Sequence, residues 1–226
     1  PRGTGAMSDK EHFEEDLEKY IRAGRVPRGD FGGLTAGVGL AMMLPRAANA
    51  QAVTEKDVEI KTPDGTCDAY FVHPSSGAHA AVLVWPDILG LRPAFRMMGK
   101  RLAESGYSVL TVNPFYRGKR APVIPAGAAF DAETRAIVGP LAQQLNATTH
   151  VSDAKAFIAW LDQQPQVDKG RKVGTTGYCM GGPITMRTAA SVADRVGAGA
   201  SFHGGGLVSE NPDSPHLPMH VAQMYD

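Results

Sequence analysis

From Asp57 onward the chain alternates between two apolar spacings. "DVEIKT" (57–62) and "CDAYFVHP" (67–74) read as two strands of an antiparallel hairpin closed at Pro63-Asp64-Gly65. "AHAAVLVWPD" (78–87) is almost continuously apolar, as a strand buried on both faces would be. Helical spacing follows in "AFRMMGKRLAESG" (94–106), with Met97, Met98, Leu102 and Ala103 on one side and Gly106 as the stop. "YSVLTVNP" (107–114) predicts another buried strand, and a loop of small residues and prolines occupies 114–130. "VSDAKAFIAWLDQQP" (151–165) predicts an amphipathic helix capped by Ser152, with Ala154, Phe157, Ile158 and Leu161 inward. "KVGTTGY" (172–178) reads as a strand, "GGPITMRTAASV" (181–192) as a helix, and "VGAGASF" (196–202) and "MHVAQMY" (219–225) as two further strands. Strands alternating with helices imply a mostly parallel sheet covered on both faces, whose reacting groups collect on loops at the strands' carboxyl ends.

The first 51 residues stand apart from this domain, which is expected to span 52–226. "PRGTGAM" (1–7) reads as an expression-tag remnant, and "SDKEHFEEDLEKYIRAGR" (8–25) as a helix opened by a Ser8/Glu11 capping box. The stretch to Gln51 then runs from basic residues through an uncharged segment (31–44) to Ala48-Asn49-Ala50. That order is the layout of an export signal, and the apolar part is too short and glycine-rich to span a bilayer. It resembles a twin-arginine signal, with Arg28 three residues before Phe31 but Gly29 in the second arginine's place. An N-terminal extension that is not a signal is the alternative, so both the cytoplasm and the periplasm stay open.

Composition narrows the ligand class. With 23 basic and 23 acidic residues there is no long-range positive field to attract nucleic acid or an anionic membrane, so a small neutral or weakly charged molecule is the expected partner. Two cysteines, Cys67 and Cys179, make neither a disulfide framework nor a zinc site. In an exported protein a single Cys67–Cys179 bridge would account for both thiols and silence Cys179. No metal spacing or dinucleotide fingerprint occurs, so no cofactor is implied. Nothing in the sequence decides between monomer and homodimer.

"TTGYCMGGPI" (175–184) carries the chemistry. Gly177-Tyr178-Cys179-Met180-Gly181 fits the nucleophile-elbow pattern with cysteine in the serine slot, between a predicted strand and a predicted helix. The central residue of such a turn projects above the sheet, and its neighbours two positions away must be small because strand and helix backbones nearly touch. The Met180 amide, first of the new helix, would face an oxyanion formed on a carbonyl attached to Cys179, and the same helix end favours a thiolate. The bland alternative is a buried cysteine among glycines needed for packing alone.

These residues resemble the dienelactone hydrolases, a branch of the α/β-hydrolases with a Cys-His-Asp triad. "VLVWPDILGLRPAFRMMGKRLAESGYSVLTVNPFYR" is similar to that family's strand, oxyanion loop, helix and next strand. "DAKAFIAWLDQQPQVDKGRKVGTTGYCMGG" and "GAGASFHGGGL" resemble the elbow segment and the strand and loop after it. The resemblance implies a hydrolase of lactones or small carboxylic esters in which Cys179 is the nucleophile and the Met180 and Ile88 amides are the oxyanion donors. It places Asp87 where many members carry a glutamate, one methylene longer, that interacts with the resting thiol; the alternatives for the shorter aspartate are a hold on the oxyanion loop and a solvated loop position. Tyr116, Arg135 and His203 fall in the expected surroundings of substrate and nucleophile, Arg135 as a candidate for a substrate carboxylate and His203 in a structural place. Asp226 falls near the position of the triad acid, and the triad histidine is expected outside the 226 residues; His216 and His220 read as polar loop or surface residues. The alternatives are a non-catalytic binding or regulatory member of the same fold and, more weakly, a thiol redox role for Cys179, which lacks a resolving partner.

Overall fold

The computed structural model describes residues 50–208, 210, 214 and 215. The expected helix from Ser8, most of the signal-like stretch, His216, His220, the strand over 219–225 and Asp226 lie outside the described residues. Ten elements follow in chain order: β1 (Val53–Thr62), β2 (Gly65–Pro74), β3 (Ala81–Trp85), α1 (Pro93–Glu104), β4 (Ser108–Val112), α2 (Ala132–Ala142), α3 (Ala147–Leu161), β5 (Val173–Tyr178), α4 (Gly181–Ser191) and β6 (Val196–Phe202). They build one six-stranded sheet in the order β1-β2-β4-β3-β5-β6. β1 and β2 form the antiparallel hairpin, β2 meets β4 antiparallel, and β4, β3, β5 and β6 run parallel. This is the α/β-hydrolase arrangement, a mostly parallel sheet with helices on both faces.

The period-two alternation of the strands sorts the core into two layers. Cys67, Ala69 and Phe71 of β2, Leu83 and Trp85 of β3, and Leu110 and Val112 of β4 pack with Ala154, Phe157, Ile158 and Leu161 of α3. The intervening residues Tyr70, Val72, Val84 and Val109 face Phe95 and Ala103 of α1. All four inward positions expected of α3 are buried, each aliphatic or aromatic one contributing about 1.5–3 kcal/mol. Phe157 meets the Trp85 ring at 5.6 Å between centroids, which seats α3 under the carboxyl end of β3.

Several local expectations are corrected. α3 starts five residues before Ser152: Asn146 caps it, its side chain accepting from Thr148 and Thr149 amides while the Thr149 hydroxyl accepts from the Asn146 amide. That reciprocal pair satisfies amide donors which Ser152, inside the helix, has no means of reaching. α2 was not expected at all. Asp131 caps it through the Thr134 amide, but only Thr134 and Val138 are buried, and Pro140 sits inside it. On α1 the fully buried positions are Phe95, Gly99 and Ala103, with Met98 and Leu102 partly buried and Met97 turned off that stripe. Gly99 is needed because a Cβ there would lie 2.9 Å from the Thr111 hydroxyl on β4. Gly106 does end the helix: at φ +98° its amide reaches the Ala103 carbonyl and the Tyr107 amide reaches that of Leu102. The sheet is not covered evenly, since residues 197–200 of β6 are exposed among the described residues.

Candidate functional site

β5 and α4 meet at Cys179, whose φ of +51° puts a β-carbon where glycine is preferred. The turn is pinned from both sides: the Cys179 amide donates to the Phe202 carbonyl on β6 (2.8 Å) and the Gly182 amide to the Cys179 carbonyl (3.0 Å). Tight packing explains the flanking glycines. A Cβ on Gly177 would overlap the Gly181 carbonyl and the Thr185 hydroxyl, and one on Gly181 would overlap the Trp85 carbonyl. Gly182 is a further contact point, with 2.6 Å between its would-be Cβ and Gly204 Cα. Any side chain at Gly177 or Gly181 forces strand and helix apart. The thiol of Cys179 stays free and exposed, and Cys67 is a separate free thiol in the core, so the two are not bridged.

The second wall is the turn after β3. Trp85 pairs in register with Gly177, so both chains leave the sheet at the same edge. Gly181 rests on the Trp85 and Pro86 carbonyls, and the Ile88 and Met180 side chains pack on one apolar cluster of Phe115, Val123, Ile124 and Val138. Asp87 opens a turn closed by the Gly90 amide on the Asp87 carbonyl (2.9 Å). Gly90 holds φ +73°, and a Cβ there would press Phe115 and Val123 at 3.2 Å. The Asp87 carboxylate accepts the Leu89 amide at 2.9 Å and both terminal nitrogens of Arg92, at 2.6 and 2.8 Å. Among the described residues, neither the Ile88 nor the Met180 amide donates to another protein group.

The remaining candidates are placed as follows. Tyr178 stacks on Phe202 (5.0 Å, 12° between planes) and edge-on to Phe95 (5.4 Å), so an aromatic row flanks the elbow on the α1 side. Because Tyr178 pairs with Phe202, the next residue on each strand is Cys179 and His203, and His203 also has positive φ (+54°) and is exposed. Tyr116 is not brought to Cys179. Its ring lies in the α3-side core, its hydroxyl donates to Asp153 (2.7 Å) and it shares a 2.7 Å hydrogen bond with the Thr62 hydroxyl. Arg135 sits exposed on the first turn of α2, its guanidinium 5.0 Å from the Phe130 ring. Sequence reading missed Arg92, whose role depends on a turn that doubles back on Asp87. No group of three or more His, Cys, Asp or Glu with metal-site geometry exists among the described residues. No helix among them is long and apolar enough to cross a membrane.

Comparison with known proteins agrees with this geometry. The chain is 29% identical over 140 residues to the carboxymethylenebutenolidase of Rhodococcus opacus, covering 61% of this chain and 50% of that one. It is 27% identical over 177 residues to a Methylorubrum extorquens protein provisionally named for the same activity, covering 78% of this chain and 58% of that one. It thus spans between half and three fifths of the length of these curated relatives. Among solved structures, the dienelactone hydrolase-like promiscuous phosphotriesterase P91 from metagenomic libraries superposes with a TM-score of 0.54 at 26% identity, over 72% of this chain and 64% of that one. The model of the dienelactone hydrolase family matches residues 67–223, well over half of the 226, and the chain belongs to that family.

Proposed function

We propose that the chain is a hydrolase of lactones or small carboxylic esters, with Cys179 as the nucleophile. The observation that supports this best is the strained, exposed Cys179 at the strand-to-helix turn; the Met180 amide follows it directly, and among the described residues neither that amide nor the Ile88 amide donates to a protein group. In the proposed step the Cys179 sulfur attacks the substrate carbonyl. A C–S bond forms, the carbonyl π electrons move to oxygen, and the Met180 and Ile88 amides hold that oxyanion. Collapse breaks the ester C–O bond and the alkoxide takes the proton given up by the thiol, so that an ester loses its alcohol, a lactone opens and keeps its new hydroxyl, and a thioester is left on Cys179. Water then returns the thiol and releases the acid, a step that needs a base. The proposed base is the triad histidine that the family resemblance implies, oriented by a carboxylate.

The test compares wild type with Cys179→Ala against a panel of lactones and p-nitrophenyl esters, following ring opening of the lactones and phenolate release from the esters, and locating the acyl group by peptide mass spectrometry. Wild type is expected to release at least one equivalent and carry the acyl group on Cys179, and the variant is expected to do neither. Equal release by both proteins would overturn the assignment.

A further inference from the structure

Asp87 and Arg92 form the best-connected ion pair near the elbow, and no part of the proposed acyl transfer uses their charges directly. Their side chains are each 22% exposed, and the carboxylate makes three hydrogen bonds: two from the Arg92 fork and one from the Leu89 amide. Such a bidentate pair fixes direction as well as distance. Arg92 also donates weakly to the Gly90 carbonyl (3.4 Å) and lies 4.9 Å over the Phe95 ring. Phe95 in turn meets Tyr178, the residue before Cys179. A continuous set of contacts therefore runs from the turn that holds the Ile88 amide, through Arg92 and Phe95, to the strand that holds the thiol.

We infer that the Asp87–Arg92 pair is a positioning clamp that sets the Ile88 amide against the Met180 amide, and that Asp87 does not act on the Cys179 thiol. This deepens the reading of Cys179 as an acylated nucleophile and rests on it. The physical reason is prior commitment of the carboxylate to three hydrogen bonds. Both carboxylate oxygens are engaged by the loop and by Arg92, so an approach to sulfur would break the bonds that shape the turn. The shorter side chain favours the same outcome: aspartate closes a two-residue turn onto its own loop, the local bond that this residue type makes readily.

Two reactions of the same sulfur separate a clamp from a thiol partner. Acylation by p-nitrophenyl acetate forms a C–S bond, expels p-nitrophenolate and develops an oxyanion. Alkylation by iodoacetamide forms a C–S bond, expels iodide and develops none. In Asp87→Asn the acylation rate is expected to fall roughly 10- to 100-fold while alkylation stays within about twofold of wild type, since only acylation needs the amide donors. Arg92→Lys keeps the charge but loses the fork, and its acylation is expected to fall by a smaller factor in the same direction. The double variant Asp87→Asn/Arg92→Lys is expected to lose no more than Asp87→Asn alone, as two members of one clamp should.

If both reactions change together in Asp87→Asn, the carboxylate acts on the thiol and the clamp is wrong. Unchanged acylation in both single variants also overturns it. Failure of wild type to acylate at all overturns the nucleophile reading, and the clamp with it, which distinguishes the two failures. Should Asp87→Asn lose its thermal transition, Arg92→Lys alone decides by the ratio of the two rates.

Discussion

Cys67 and Cys179 are one residue type in two opposite settings. Cys67, on β2, is sealed in the core: its thiol lies 3.4 Å from the Asp68 and Asn113 carbonyls, and burial pushes it far up from the ordinary thiol range. Cys179 stands exposed on a strained turn. Their surroundings differ in the same way. Around Cys67 the polar groups are matched to one another: Asp68 accepts from the Asn113 side chain and the Ala121 amide, and Asp153 accepts from Tyr116 and Arg117. At the elbow the Met180 and Ile88 amides have no protein acceptor among the described residues. The comparison teaches that closed polar networks here fix the fold, whereas unfilled hydrogen-bonding capacity beside a strained residue marks the place where chemistry is expected.

The sharpest way to break the closed region is Asp153→Ala. Asp153 is 1% exposed and takes both terminal nitrogens of Arg117, at 2.7 and 2.8 Å, as well as the Tyr116 hydroxyl. Its removal strands a guanidinium that retains only the more exposed Asp64. The expected loss is about 3–5 kcal/mol of unfolding free energy, read from urea denaturation. A loss below about 1 kcal/mol would mean that water replaces the carboxylate and that the network is not closed.

A second, smaller effect is a pH dependence. His150 is buried on α3, its Nδ1 3.3 Å from the Arg187 guanidinium, and its Nε2 has no partner among the described residues. Burial, aided by the charges of Arg187 and Arg117, lowers its pKa from 6.5 to about 4. The folded protein therefore holds His150 neutral where the unfolded chain takes up a proton. Stability is full above pH 6.5 and falls as pH drops toward 4. The loss accumulated over that window is on the order of 2–3 kcal/mol, and His150→Phe is expected to flatten the slope when urea midpoints are compared at several pH values. An unchanged slope in the variant would show that His150 does not carry it.

Legibility in the sequence follows the same division. The elbow could be read because its steric demand is local: glycines two positions to each side of Cys179, between a β-branched run and a helical one. The strands and α3 could be read because each buries one regular stripe. α2 was hidden since it buries only Thr134 and Val138 and contains Pro140, so neither periodicity nor propensity marks it. Ser152 displaced Asn146 as the expected cap because the threonines after Asn146 read as loop or strand until their side chains are seen closing the box. Arg92 was missed in the sequence, and Tyr116 was expected near the substrate whereas its hydroxyl meets Asp153 and Thr62. One depends on a turn folding back over five residues, the other on a strand end and a helix meeting in space.

The smallest expected effect sharpens the comparison most, because the same sulfur is removed at two places with opposite sign. Cys67→Ala deletes a packed atom at 0% exposure and is expected to cost about 1 kcal/mol, as loss of a small buried group does. Cys179→Gly deletes an exposed side chain from a residue at φ +51°, a conformation that glycine adopts without steric penalty. Relief of that strain is worth about 1–2 kcal/mol, and the added backbone freedom of the unfolded chain takes back roughly half. A net gain of about 0.5–1 kcal/mol is expected for Cys179→Gly, together with loss of acylation. Urea midpoints of the two variants beside wild type measure both. If Cys179→Gly proves destabilising, the turn is held by contacts of the thiol itself, and strain at the elbow is not being held in place for the sake of its chemistry.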